Sequence, residues 1–210
     1  MNREWIDRMF IMLCTRVGVF SIDPHSFYFE PTDRIYASLE SGDERDLRAV
    51  VTQIGNHLEL TSNPSASYEW GLKMEPEVAG RISWDNNWGH IQVPFFYVGK
   101  KYALGRILAH EMTHAFLASK HIALSDAHEN EMLTDLGTVF LGLGKLLLNG
   151  LLVAEHEYTK DGYLLGYISY DLFLYAYKKT NDHRSIAWDI TVKNLLPDVI
   201  GRLSGLDMGT

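Results

Sequence analysis

The feature of this sequence that could do chemistry is five residues long. Residues 110–114 read His-Glu-Met-Thr-His inside a stretch of helical hydrophobic spacing. Residues i and i+4 of a helix lie on one face, so the imidazoles of His110 and His114 can converge on one ion. Glu111, beside them, is placed to reach a water on that ion. Two imidazoles and a carboxylate, with one position open, form a coordination set that suits zinc. The flanking residues Ile107, Leu108, Met112, Ala115 and Phe116 are apolar. An unpaired polar cluster on such a buried helix would be costly, and a metal ion removes that cost.

The pair needs a third ligand. The pattern H-E-x-x-H-x-x-G-x-x-H requires Gly at 117 and His at 120. The chain has Leu117 and Lys120, with His121 one position late. The other source is the following helix, where residues 130–135 read Asn-Glu-Met-Leu-Thr-Asp. Glu131 and Asp135 share one face of that helix. A short connection permits an antiparallel return that sets Glu131 opposite the two histidines. Asp135 can then hydrogen-bond the outer nitrogen of a ligand imidazole and fix its tautomer.

Together, H-E-x-x-H and N-E-x-x-T-D resemble the gluzincin metallopeptidases, the thermolysin-like group, whose second motif is N-E-x-x-S-D. The resemblance covers residues 105–136. It implies that His110, His114 and Glu131 hold one Zn2+ per chain and that Glu111 is the general base. It makes Asp135 the partner of His110, with Asn130 supporting the ligand set. The short gap between motifs resembles the compact, minimal gluzincins, which keep an edge strand just before the active-site helix. Substrate pairs there as an added strand, and Gly89, His90, Ile91, Gln92 and Val93 occupy that place. Gly142, Gly144, the run Gly166-Tyr167-Ile168-Ser169 and a C-terminal helix with Trp188 and Pro197 are similar to a group of bacterial proteins in the same superfamily. The family commonly stabilises its oxyanion with a Tyr or His beyond the glutamate helix. His156, Tyr158, Tyr163, Tyr167, Tyr170 and His183 are the candidates, and Tyr167 lies in the most motif-like stretch.

The activity so implied is hydrolysis of a peptide or protein substrate through a metal-activated water. The alternative is a zinc-binding module that is latent or non-catalytic and acts by binding protein. A deformylase-like site would need an upstream cysteine ligand, and Cys14, the one cysteine, lacks that context.

The elements that must position these residues follow from periodicity. Residues 3–19 and 43–60 read as amphipathic helices, with Pro24 and Pro31 bracketing an irregular segment between them. Residues 61–67 read as a polar loop. Residues 81–84 and 89–93 alternate like strands around the turn residues Asp85-Asn86-Asn87. One helix is expected over 103–120. A second begins at an Ser125-Asp126 cap and runs to Asn149-Gly150, and two more cover 169–179 and 185–204, the last interrupted near Pro197. The fold class is α+β, a mainly helical zincin-like domain with a small sheet. A single domain over 1–210 is expected, with a helical part over 1–75, a catalytic core over 78–180 and a C-terminal helix over 185–205.

Composition sets the outer limits. The chain has 210 residues, 46% of them hydrophobic and 22% charged, which is enough to bury a core. A net charge of −8 lacks the basic footprint of nucleic-acid binding. A lone cysteine excludes an intrachain disulfide and a four-cysteine metal site. The longest apolar run, 139–153, is short for a membrane span, and the first twenty residues lack a secretory pattern. The expectation is a cytoplasmic protein with no membrane or nucleic-acid partner. Of nine histidines, spacing singles out His110 and His114. Cys14 is expected as a small buried hydrophobe, and His90 and His128 as surface residues.

Overall fold

The structure is a computed structural model, and it describes residues 2–17, 26–69, 80–85, 88–157 and 167–206. Helix α1 (Arg3–Val17) buries Trp5, Ile6, Phe10 and Leu13 along one stripe. After α2 (Asp33–Glu40) comes α3 (Glu44–His57), whose first turn is capped by Asp43 accepting from the Arg45 N–H. Three strands follow: β1 (Ser65–Glu69), β2 (Arg81–Asp85) and β3 (Trp88–Pro94). A 3-10 turn at Phe95–Tyr97 leads into α4 (Lys101–Ser119). Then come α5 (Ala127–Phe140), α6 (Gly144–Glu157), α7 (Tyr170–Arg184), α8 (Trp188–Val192) and α9 (Pro197–Ser204). The result is mainly helical with a small mixed sheet, an α+β fold.

Helix α4 carries the chemistry and is apolar nearly all round. Its residues 103–109, 111–113 and 115–117 are buried, as expected of a helix with neighbours on several sides. Helices α5 and α6 and the sheet all pack against it. The sheet presents Ala66, Tyr68, Ile91 and Val93 to the core. Its other face is polar: Ser65 and Ser67 hydroxyls bracket the His90 ring at 2.6 and 2.9 Å, and Gln92 donates to Glu69. His90 therefore faces away from the helices, as a strand residue at that register must.

Several expectations change. The strand ahead of α4 is not an edge. The order is β1-β3-β2, so β3 pairs in parallel with β1 and antiparallel with β2. Gly89 to Val93 thus have neighbours on both sides, and the strands with an outer edge are β1 and β2. The reason is that Ser65–Glu69, expected to begin within a polar loop, extends alongside β3. Its polar side chains are satisfied on the outer face while Ala66 and Tyr68 turn inward.

The helix expected from 126 to 150 is two helices meeting at 114°. Gly142 adopts φ +84, and a Cβ there would collide with the Phe27 carbonyl. The Gly142 carbonyl accepts from the Phe29 N–H at 3.1 Å, so a passing segment takes the place of a next helical turn. At Gly144 a Cβ would lie 2.7 Å from the Tyr177 ring, the close approach that glycine permits. Helix α2 has no counterpart in the sequence reading. The Pro197 region breaks earlier than expected, because proline begins α9 rather than interrupting it, a position where its missing N–H costs nothing. Among the described residues no single helix is long and apolar enough to cross a membrane.

Candidate metal centre

Three elements deliver the site. Helix α4 supplies His110, Glu111 and His114, α5 supplies Glu131, Thr134 and Asp135, and the segment entering α7 supplies Tyr167. The return between α4 and α5 is held by Asp126, whose side chain caps α5 through the Glu129 N–H at 2.8 Å. It is also held by Asn130, whose side chain accepts from the Leu124 N–H at 3.0 Å. Asn130 thus secures the connecting loop and does not join the ligand group. The two helices then approach closely at Gly137, where a Cβ would lie 3.0 Å from the Thr113 methyl. The Thr138 hydroxyl donates to that of Thr113 at 3.1 Å. Glycine at this crossing lets α5 come near enough for its carboxylates to meet the histidines.

The ligand atoms form a triangle. His110 Nε2, His114 Nε2 and one oxygen of Glu131 are each 3.1 Å from the other two. Tetrahedral ligands at roughly 2.0–2.1 Å from an ion are about 3.3–3.4 Å apart, so this triangle is close to one face of such a site. The protons decide what it can hold. His110 Nδ1–H donates to Asp135 at 2.8 Å. The Thr134 hydroxyl lies 3.0 Å from the Asn130 carbonyl and 3.2 Å from His114 Nδ1, so when it donates to the carbonyl it accepts from His114 Nδ1–H. In that assignment both neutral rings carry their proton on the outer nitrogen. With their inner lone pairs turned toward a carboxylate, the rings suit a cation, or a proton, among them. His110, His114 and Glu131 can hold a metal ion.

Without an ion, protons take that place. Burial opposes charge on His110, but hydrogen bonds to Asp135 and Glu131 outweigh it and push the ring up to about 10. For Glu131, burial acts upward, and His110 and His114 overcome it to hold the carboxyl well below its ordinary range. Glu111 is 6% exposed. Burial raises its carboxyl, partly offset by the two histidines. It accepts a hydrogen bond from the Ile82 backbone, and its carboxylate lies beside Gly80, where a Cβ would come within 3.2 Å of Glu111 Oε1. The start of β2, rather than β3, therefore runs over the prospective base.

Asp135 is fully buried and uses both oxygens, one for His110 and the other for the Tyr167 N–H at 2.8 Å. The Tyr167 ring stacks on His110 with centroids 6.4 Å apart, and His128 meets its edge at 5.6 Å. Of the other candidates, Tyr158, Tyr163 and the His156 side chain lie outside what is described. Tyr170 is buried under Arg202. His183 faces Cys14 on α1 at 3.7 Å, and that cysteine is only partly buried. The residues that sequence reasoning passed over are Thr134 and Gly80. Thr134 stands inside N-E-x-x-T-D, three positions after Glu131, so its place on the ligand face was readable. Gly80 had no local signal. Comparison with known proteins adds no relative: no family model matches the chain, and no curated protein or solved structure matches it.

Proposed function

We propose that this protein is a zinc-dependent metallopeptidase of the compact gluzincin type. The observation that carries the reading is the ligand triangle and its supports. His110 Nε2, His114 Nε2 and the Glu131 carboxylate meet at one point, Asp135 and Thr134 stand at the two outer ring nitrogens, and a buried Glu111 lies alongside. Two imidazoles and one carboxylate are a catalytic rather than a structural zinc set, because they leave a position for water. Zinc, when bound there, supplies a Lewis acid that acidifies water and polarises a carbonyl.

The chain's own residues supply the rest. Glu111 accepts a proton from the attacking water as its oxygen bonds to the scissile carbon. It then returns that proton to the leaving nitrogen as the C–N bond breaks. Burial strengthens it as a base, and the Ile82 N–H keeps its carboxylate oriented. Tyr167, stacked on His110, is the residue assigned to the developing oxyanion. An extended peptide pairs with the outer edge of β2, since β3 has a neighbour on each side. Trp84 lies two residues beyond Ile82 on the same strand face and is half exposed, so it walls that edge.

The test is metal content followed by turnover. Purified protein should carry about one zinc per chain, lost in His110→Ala and Glu131→Ala. Glu111→Gln should retain zinc and lose at least about 100-fold in cleavage of a peptide library. Folded protein that takes up no zinc refutes the centre. Zinc uptake without cleavage by the wild type replaces the enzyme with a binding module.

A further inference from the structure

Arg106 stands beside the site, and hydrolysis as described does not use it. It lies one turn before His110, on the face of α4 that carries His110 and His114. It is 4% exposed. Its stem crosses Gly150 of α6, where a Cβ would lie 2.6 Å from Arg106 Cβ, so that glycine makes room for it. The guanidinium lies in the electrostatic field of Asp135, Tyr97 and Tyr167. Yet its buried Nε has no hydrogen-bond partner, and none of the ion pairs among the described residues includes it. Asp135, which accepts from His110 and the Tyr167 N–H, makes no ion pair with it and acts through its field.

A buried guanidinium in that condition is strongly disfavoured. Burial lowers its pKa only to about 10, so it stays charged at neutral pH. Its planar fork of donors matches a carboxylate, which accepts two parallel hydrogen bonds. Reach limits where that carboxylate can be. Side chains four apart on a helix start roughly 5–6 Å from each other, and an extended peptide advances about 3.3–3.6 Å per residue. The guanidinium's field reaches Asp135 and Tyr167, which both touch His110, so a carboxylate taken there belongs to a residue close to the reacting carbonyl.

We propose that Arg106 binds a carboxylate of the substrate, so that the preferred substrates are peptides with a carboxylate within one or two residues of the scissile bond. This rests on the peptidase reading and deepens it. The probes are hydroxamates, which chelate zinc, in pairs of equal length: succinic monohydroxamate against butanohydroxamate, and glutaric monohydroxamate against pentanohydroxamate. Zinc-loaded wild type should bind the carboxylate member of at least one pair about tenfold or more tighter. Arg106→Met should erase that advantage while still binding the alkyl hydroxamates, and Arg106→Lys should keep part of it. Equal binding within both pairs by the wild type overturns the proposal, as does an advantage that survives in Arg106→Met. The wild-type comparison decides even if the methionine variant does not fold. Failure of every hydroxamate to bind the zinc-loaded protein refutes an open position on the metal, and with it the peptidase reading, a different outcome. Peptides compared as free acid against C-terminal amide, and with Glu against Gln, then identify the source of the carboxylate.

Discussion

Replacing Asp135 with Asn tests the centre without altering its shape. The carboxylate accepts from His110 Nδ1–H and from the Tyr167 N–H, both at 2.8 Å, in a fully buried position. Asparagine has one accepting oxygen and one NH2 group, so it can satisfy only one of these donors. If the oxygen stays with Tyr167, the NH2 faces His110. The ring must then accept at Nδ1 and carry its proton on Nε2, where the metal should bind. If the oxygen stays with His110, the buried Tyr167 N–H loses its acceptor, at a cost of about 1–3 kcal/mol. Loss of such a partner typically weakens metal binding about 10- to 100-fold, or roughly 1.4–2.7 kcal/mol. The assay is zinc competition against a chelator of known affinity, with thermal melting of the metal-free protein alongside. Affinity and melting temperature both unchanged from the wild type would refute the reasoning, because one of the two donors has to lose.

Other outcomes follow from the same geometry. Thr134→Val removes the acceptor for His114 Nδ1 while keeping the shape, and should weaken zinc several-fold to about tenfold in the same competition; an unchanged constant would show that Thr134 does not set the tautomer. Gly137→Ala puts a Cβ 3.0 Å from Thr113, parting α4 and α5 by tenths of an ångström. Zinc affinity should fall although no ligand is touched, and a crystal structure of the variant should show the longer Glu131–His114 separation. The metal-free protein should also respond to pH in a defined direction. His110 is raised from 6.5 to about 10, so its stabilisation is complete below pH 6.5 and is lost as pH rises toward 10. Glu131 is lowered, so its contribution is present above its ordinary 4.5 and is lost only in stronger acid. Denaturant titrations of chelator-treated protein should therefore show stability falling between pH 7 and 10, and a flat profile there would contradict the paired arrangement.

Local spacing made much of the centre legible. His110 and His114 share a helix face because they are four apart, and Glu131 and Asp135 do so for the same reason. The Asp126 cap and the antiparallel pairing of β2 with β3 are likewise short-range chemistry, and both were visible, while the turn positions Asn86 and Asn87 lie outside the described residues. Where the reading missed, distant parts of the chain intervened. The run 139–153 is mostly apolar with no local stop, yet the Phe27 carbonyl occupies the space beside Gly142 and the chain turns by 114°. Gly89 to Val93 read as an edge because nothing within the strand reveals that Ser65–Glu69 will pair with it. Nothing local sets Arg106 apart as a helix residue; its burial and its unpartnered Nε among the described residues come from packing.

By itself, then, the sequence determined which atoms could meet at a cation, since helical periodicity orders side chains over one or two turns without outside help. The tertiary structure decided what stands around those atoms. It brought Thr134 to the outer nitrogen of His114, the Ile82 N–H to Glu111 and a buried arginine, its Nε without a partner among the described residues, to the same helix. It also set β3 between β1 and β2, leaving those two as the outer strands among the described residues. Each of these depends on two segments far apart in the chain reaching the same place, which only packing against a shared core can arrange.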